Sequence, residues 1–266
     1  MKKLIQCLSH HKNFSLTKEN IQAIKQVGFD GVFLQWYHNN PNIITQEINY
    51  CKNMSLDIEF IHLNYENTNH LWQNTNLTHD TIDTYLHKLY ICNLNKINMI
   101  VMHLSSKEKA PQLSLSGIKN FQKIIKTAEQ LNIKVALENT KISGRFEYLS
   151  NHIKSDYLGL CFDTGHYHCF YKDNINWSTL KNKIFTIHLH DNNLLKDEHL
   201  PVFDGNINWK NLINNLNKVN YKGNIVLEIH QENNIKENTL NFHKNCFNLA
   251  IKTHKLFKTS TYWHSF

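Results

Sequence analysis

The sequence predicts a single-domain α/β protein in which eight parallel strands form a barrel across residues 1–266. Three observations support this fold class. Short apolar runs alternate with helix-like segments along the chain, which is typical of repeated βα units. A histidine or a carboxylate closes six of these runs, at intervals of 25 to 41 residues that each fit one strand–helix repeat. The chain has three prolines and eight glycines, and no linker-like stretch divides it.

The individual elements follow from the apolar pattern in chain order. Strands are predicted near 3–8, 31–36, 57–63, 98–104, 133–138, 157–162, 184–189 and 224–229. Helices are predicted around 17–27, 43–53, 79–94, 116–131, 145–153, 175–182, 209–219 and 236–256. Ser15 and Asn208 suit helix entries, and Gly28 marks the return to the second strand. Eight is the number of strands that closes the common parallel barrel.

Six of the apolar runs end in a potential metal ligand. The closing residues, in IEFIHL, MIVMHL, VALEN, LGLCFD, TIHLHD and IVLEI, are His62, His103, Glu138, Asp163, His188 and Glu228. The carboxyl ends of barrel strands meet on one face, and the active sites of barrel enzymes lie there. The sequence therefore predicts that these side chains collect at one mouth of the barrel.

Three acids and one histidine form the predicted centre of this site: Glu138, Asp163, His188 and Glu228. An isolated buried carboxylate is costly, whereas an oxygen-rich set with one imidazole suits Mn²⁺, Co²⁺, Mg²⁺ or Zn²⁺. Each residue alone is equally well explained as a polar group satisfied by hydrogen bonds. The four together favour a divalent metal site.

Further histidines and one acid accompany these four. The segments DTGH at 163–166 and DEH at 197–199 each pair a carboxylate with a histidine. The candidates for additional metal ions or for substrate hydroxyls are His62, His103, His166, Asp197 and His199. In a chain with 18 histidines some loop histidines are merely solvated, and that alternative stays open for His166 and His199.

Composition restricts the partners of the protein. The formal net charge is +7, yet only Arg145 among the 29 basic residues is an arginine. Proteins that read DNA usually use several arginines, so this charge argues against a dedicated DNA-binding surface. No apolar run approaches the roughly 20 residues of a membrane span, and the amino-terminal apolar stretch is too short for a secretory signal. Six scattered cysteines predict free thiols, and with them a cytoplasmic protein.

The segments ALENT, CFDTGH, IHLHDNN followed by DEHLPVFDGNINW, and VLEIH resemble the signature segments of the xylose-isomerase-like TIM-barrel superfamily. The resemblance runs from GFDGVFLQW onward and is strongest to the sugar-phosphate isomerase/epimerase branch. It implies a (β/α)₈ barrel with one divalent ion held by Glu138, Asp163, His188 and Glu228. In that branch a proton is transferred through an enediolate, for which Glu138 and Glu228 are the acid/base candidates.

The same superfamily contains endonuclease IV, a three-zinc phosphodiesterase that acts at abasic DNA. All nine candidate ligands of this chain match its pattern as well, so the ligands do not separate the two activities. The opening strand KLIQCLS lacks the Gly-Ala-His of the nuclease branch, and loop arginines are absent, which favours the isomerase or epimerase. A non-catalytic sugar-binding barrel is a third alternative, and the retention of every ligand argues against it.

The expected substrate is a small sugar, and a free sugar is favoured over a phosphorylated one. Aromatic candidates for covering a sugar face are Trp36, Tyr37, Tyr65, Trp72 and Phe203, although ordinary barrel packing explains each of them equally well. Arg145, Lys107 and Lys109 are the cations on offer for a phosphate. The aromatic tail at 252–266 is expected to cap the barrel, to join a homo-oligomer contact or to remain free.

Overall fold

The structure is a computed structural model that describes residues 2–8, 14–37, 40–106, 109–172, 174–229 and 238–259. Eight strands alternate with eight α-helices within these ranges. The strands are β1 Leu4–Cys7, β2 Gly31–Trp36, β3 Asp57–Leu63, β4 Met99–His103, β5 Lys134–Glu138, β6 Leu158–Asp163, β7 Ile184–His188 and β8 Ile225–Leu227. The helices are α1 Phe14–Val27, α2 Pro41–Asn53, α3 Asn76–Leu94, α4 Leu115–Gln130, α5 Arg145–His152, α6 Thr164–Tyr171, α7 Trp209–Lys218 and α8 Thr239–Thr259.

The strands form one parallel sheet in the order β7-β6-β5-β4-β3-β2-β1-β8. The two ends of this sheet meet just beyond β7, where Leu189 forms a parallel bridge with Leu227. The Leu189 amide donates to the Val226 carbonyl at 2.9 Å, and the Glu228 amide donates to the Leu189 carbonyl at 3.0 Å. The sheet is thereby closed into a single (β/α)₈ TIM barrel, as the sequence predicted.

An aromatic layer fills the barrel beneath the carboxyl ends of the strands. The rings of Phe33 and Phe60 stack with their centroids 4.7 Å apart. The imidazole of His188 lies nearly parallel to Phe33, at 5.2 Å and 17°. Phe33, Phe60 and His188 are all fully buried, so this close-packed layer lies directly beneath the polar side chains at the strand ends.

Each predicted strand overlaps an observed one, but one predicted helix is wrong. Residues 175–182 do not form an α-helix, because this stretch contains only a short 3₁₀ turn at Trp177–Leu180. The helix of this repeat is α6, which begins directly after Asp163, and the Asp163 side chain caps it by accepting the amide of His166. Gly165 in the first turn lowers the local helix propensity, so the apolar pattern of the sequence does not predict α6.

Helix α8 runs to Thr259, so residues 252–259 of the predicted tail are helical. The remainder of the tail, like Lys107, lies outside the described residues. No helix in the described ranges is both long and apolar enough to cross a membrane. All six cysteines lie in the described ranges, are buried and form no disulfide, in agreement with the prediction of thiols rather than disulfides.

The packing of α8 against α1 buries one histidine away from the barrel mouth. His243 is 2% exposed, and its Nε2–H donates to the Asn20 side-chain oxygen at 2.9 Å. Burial lowers the pKa of His243 from 6.5 to about 3. The unfolded chain therefore takes up a proton at this residue below pH 6.5, whereas the folded chain does so only near pH 3.

We expect His243 to make the protein acid-sensitive. Its contribution to stability is complete above pH 6.5 and falls as the pH drops toward 3. The slope is about 1.4 kcal/mol per pH unit. Urea unfolding of the wild type and of His243→Gln between pH 5 and 7.5, at roughly half-unit steps, measures it. The stability difference between the two chains should shrink as the pH falls, and a constant difference would contradict the assignment.

Candidate metal centre

The strand ends and two neighbouring segments bring all nine candidate ligands to one mouth of the barrel. Five of them end or directly follow strands, and His62 is the penultimate residue of β3. Parallel pairing places His103 opposite Glu138 and Asp163 opposite His188. His166 lies in the first turn of α6. Asp197 and His199 lie on the connection between β7 and α7, residues 189–208, here called the β7–α7 loop.

The central quartet consists of Glu138, Asp163, His188 and Glu228, and all four side chains are buried. The Nδ1 atom of His188 lies 3.4 Å from a Glu138 oxygen, 3.5 Å from an Asp163 oxygen and 3.2 Å from a Glu228 oxygen. It makes no hydrogen bond of acceptable geometry to any atom of the described residues. One nitrogen facing three carboxylates without bonding to any of them is the arrangement expected around a shared cation.

The inner triad consists of His62, His103 and Glu138. The Nε2 atoms of both histidines lie 2.9 Å from the same Glu138 oxygen, Oε2. The second oxygen, Oε1, lies 3.2 Å from His166 and 3.4 Å from His188. Glu138 therefore belongs to two ligand groups at once, with one oxygen in each.

The outer triad consists of His166, Asp197 and His199. Both histidines approach Asp197 Oδ2 through Nε2, at 3.1 Å and 3.2 Å. The other ring nitrogen of His199 donates to the Glu228 backbone carbonyl at 3.0 Å, which leaves Nε2 as the nitrogen available to a ligand. This triad is the most exposed of the three groups, since the Asp197 side chain is 24% exposed.

The electrostatics of the site favour ionised carboxylates. Burial alone would raise the pKa of Glu138, but His103 and His188 outweigh it and hold this pKa well below its usual range. The balance is the same for Glu228, whose pKa falls to about 2 beside His188. Burial would lower the pKa of His199, whereas its bond to Asp197 raises it to about 9. A divalent ion would replace these imidazole protons, because a metal binds the neutral ring.

The β7–α7 loop is held in a strained shape by one buried acid that the sequence analysis did not select. Asp191 accepts hydrogen bonds from the indole N–H of Trp209 at 2.6 Å and from the Phe203 amide at 3.2 Å. It also accepts the amides of Asn192 and Ile207 at 2.9 and 3.2 Å. Leu194, His199 and Phe203 all have positive φ, of 73°, 48° and 79°. Such strain persists only where the surroundings enforce it.

A second residue missed by the sequence analysis is His190. It is fully buried, and its Nε2 lies 3.1 and 3.0 Å from the two oxygens of Asp163. The spacing in IHLHD contained the signal, because residues two apart on a strand point to the same face. His190 therefore joins the side chains at the mouth, next to His188.

Of the candidate substrate residues, Tyr65 lies beside the ligands, whereas Trp72 and Arg145 are packed in the core. Tyr65 stacks flat on His103, with centroids 4.5 Å apart and an angle of 2°, so its ring lines the inner triad. Trp72 is 2% exposed and donates its indole N–H to the Leu104 carbonyl, which makes it a core residue. Arg145 is buried, lies 4.9 Å above the Trp72 ring and donates to the Pro111 carbonyl. The guanidinium of this arginine, which is the only arginine in the sequence, is therefore held in packing contacts and is not placed to bind a phosphate.

The remaining candidates lie elsewhere around the mouth. Trp36 is buried at the end of β2, whereas Tyr37 directly after it is 48% exposed. Phe203 packs edge-to-face on Trp209 within the β7–α7 loop, at 5.5 Å. Lys109 is exposed on the segment between β4 and α4.

Several curated proteins are similar to parts of this chain. It is 27% identical over 203 residues to a probable endonuclease 4 of Mycoplasma capricolum subsp. capricolum, covering 56% of this chain and 70% of that protein. It is 32% identical over 124 residues to an uncharacterised protein of Methanocaldococcus jannaschii, covering 42% of each. The chain spans only 32 to 54% of the length of three of the curated relatives it matches.

Solved structures with the same fold include sugar epimerases. An L-ribulose 3-epimerase superposes with a TM-score of 0.78 at 13% identity, covering 100% of this chain and 99% of that one. D-Psicose 3-epimerase from Clostridium cellulolyticum H10 gives a TM-score of 0.74 at 13% identity, covering 97% and 99%. Identities this low show a shared fold. A family model described as the xylose isomerase-like TIM barrel matches residues 21–246, and the chain therefore belongs to this family.

Proposed function

We propose that the protein is a divalent-metal-dependent isomerase or epimerase of a small sugar. The observation that carries the proposal is the central quartet, in which Glu138 and Glu228 both face the same nitrogen of His188, at 3.4 and 3.2 Å. Two ionised carboxylates at one buried centre can remove a proton and return it. This is what is required to invert a stereocentre beside a carbonyl or to shift the carbonyl to the neighbouring carbon. Manganese, cobalt, magnesium or zinc fits this donor set.

The divalent ion, when bound, supplies Lewis-acid polarisation of the sugar carbonyl and of its neighbouring hydroxyl. The residues of the chain do the rest. Glu138 and Glu228 remove and return the proton of the carbon that bears this hydroxyl, next to the carbonyl, and Asp163 and His188 complete the quartet. Tyr65 supplies an apolar ring beside the site, and its flat stacking on His103 fixes the orientation of that ring. Because Arg145 is buried against Trp72, the proposal favours a sugar without phosphate.

Solvent exchange tests this proposal without knowledge of the sugar. The metal-replete protein is incubated in D₂O with a panel of ketopentoses and ketohexoses, and deuterium is followed by NMR. We expect deuterium at the carbon next to the carbonyl of at least one sugar, together with its epimer or isomer. Absence of exchange across the panel with manganese, cobalt, magnesium and zinc would overturn the proposal. An unrelated protein loaded with the same ions controls for exchange by free metal.

The second candidate function is a three-metal phosphodiesterase acting on abasic DNA. The specific observation that favours it concerns the two carboxylate oxygens of Glu138. Oε2 lies beside His62 and His103, whereas Oε1 lies beside His166 and His188. A carboxylate shared in this way suits two neighbouring ions, and paired ions can hold the attacking and leaving oxygens of a phosphoester. The outer triad offers a third position, and two of the relatives are named as probable endonucleases 4.

The phosphodiesterase alternative predicts cleavage of a duplex with one abasic site by the zinc-loaded protein. We expect His166→Ala to reduce such cleavage by about 100-fold, because it removes a donor that contacts both Glu138 and Asp197. His152→Ala is the matched control, since that histidine is exposed on α5. Gel electrophoresis of the labelled strand measures the product. An intact duplex after zinc loading would remove this candidate and leave the isomerase proposal standing.

A further inference from the structure

His190 is a buried imidazole at the mouth of the barrel to which neither the proposed function nor its alternative assigns a role. It follows β7 by two residues, and no part of it is exposed. It stands between the central quartet and the outer triad. Three of its contacts indicate what it could do.

The first contact joins His190 to the central quartet. Its Nε2 lies 3.1 Å from Asp163 Oδ1 and 3.0 Å from Asp163 Oδ2, so its N–H is shared between both oxygens. The backbone behind the ring is fixed as well. The Thr164 hydroxyl donates to the His190 carbonyl at 2.8 Å and accepts the His190 amide at 3.1 Å. The donor that faces Asp163 is thereby held in one place.

The second contact joins His190 to the outer triad. Its ring stacks on His199 with centroids 4.0 Å apart and an angle of 13°. His199 has a positive φ of 48°, and such a strained backbone persists only where neighbouring groups hold it. The stacked ring of His190 is one of these groups. With Nδ1 bonded to the Glu228 carbonyl, this support directs Nε2 toward Asp197.

The third contact explains the glycine in DTGH. A Cβ atom at Gly165 would lie 1.9 Å from Cε1 of His190 and 2.5 Å from its Nδ1. No side chain larger than hydrogen fits there while the ring keeps its position. Gly165 therefore allows His190 to lie against the start of α6, between Asp163 and His199.

We propose that His190 is a positioning residue that connects the central quartet to the outer triad, so that ion affinity at both depends on it. The N–H orients the Asp163 carboxylate, and the ring face holds His199. The inference rests on the proposed function only in requiring that the site binds divalent ions. Hydrogen-bonding partners of metal ligands typically change metal affinity by about 10- to 100-fold.

Titration of the metal-free protein with Co²⁺ tests the inference, because its absorption bands report ligand geometry as well as occupancy. In His190→Ala we expect both classes of ion to bind about 10- to 100-fold more weakly. In His190→Gln the amide can still donate to Asp163, so the central ion should regain most of its affinity while the outer ion stays weak. His243→Gln, a buried histidine between α1 and α8, is the matched control and should bind as the wild type does.

Gly165→Ala provides an independent test, since it displaces the His190 ring without removing a polar group. We expect it to weaken Co²⁺ binding as His190→Ala does, with circular dichroism confirming the fold of each variant. Unchanged affinities in folded His190→Ala and Gly165→Ala would overturn the inference while leaving the proposed function intact. A wild-type chain that binds no Co²⁺ would contradict the proposed function as well, so the two failures are distinguishable.

Discussion

Glu138→Gln is expected to abolish turnover and to weaken ion binding at both ligand groups that contain Glu138. Glu138 lies within 3.4 Å of four imidazoles, and each of its oxygens belongs to a different ligand group. A glutamine keeps the size of the side chain, but it lacks the charge and presents an N–H₂ where one group needs an acceptor. Loss of an acid/base group costs about 10²- to 10⁴-fold in rate, and loss of the ions adds to this.

The deuterium-exchange rate and the metal content by elemental analysis measure this effect. Glu19→Gln, at an exposed position on α1, is the matched control. Glu228→Gln should also stop turnover, yet it should keep the ion of the inner triad because His62, His103 and Glu138 remain. Full activity in Glu138→Gln would remove this residue from both the acid/base role and the metal site.

Asp191→Asn is expected to cause the largest loss of stability among single isosteric changes near the mouth. The new amide would turn a donor toward the Trp209 indole N–H and the Phe203 amide, which now share one carboxylate oxygen. A buried donor without an acceptor costs roughly 1–3 kcal/mol, so two of them cost about 2–6 kcal/mol. The β7–α7 loop should then relax, and Asp197 and His199 should leave the outer triad.

Urea unfolding of the metal-free variant measures the loss of stability, and Co²⁺ titration measures the loss of the outer ion. Trp209→Phe removes one of the two donors. On the Asp191→Asn background it should therefore cost less than it does in the wild type. Unfolding free energies that add without interaction, or an outer ion that stays bound, would show that Asp191 does not hold the loop.

The barrel was predictable because the pattern that encodes it is local. Parallel strands buried on both faces read as continuous apolar runs, and each of the eight runs predicted to be a strand overlaps an observed strand. Helix α6 was not predicted, because the features that specify it are tertiary contacts. Its capping residue, Asp163, reads as a strand-end ligand, and Gly165 is required by the ring of His190, which is distant in sequence.

The gathering of the candidate ligands at one mouth was predictable for the same reason, whereas the contacts of the residues around them were not. Any His or carboxylate at the end of a barrel strand points into the mouth, so strand order alone brings Glu138, Asp163, His188 and Glu228 together. The shape of the β7–α7 loop depends on four donors that converge on Asp191. The buried position of Arg145 depends on Trp72. Neither of these tertiary contacts produces a periodic pattern in the sequence.

The number of carboxylates at the mouth links ion count to the charge of the substrate. The three ligand groups share four of them: Glu138, Asp163, Asp197 and Glu228. With neutral imidazoles, one divalent ion leaves the mouth with two negative charges, which accept a neutral sugar and repel a phosphate. Two ions bring the mouth to neutrality, and three give it two positive charges, which attract a phosphodiester. Filling the outer triad would thus reverse the electrostatic preference of the barrel without any change in its side chains.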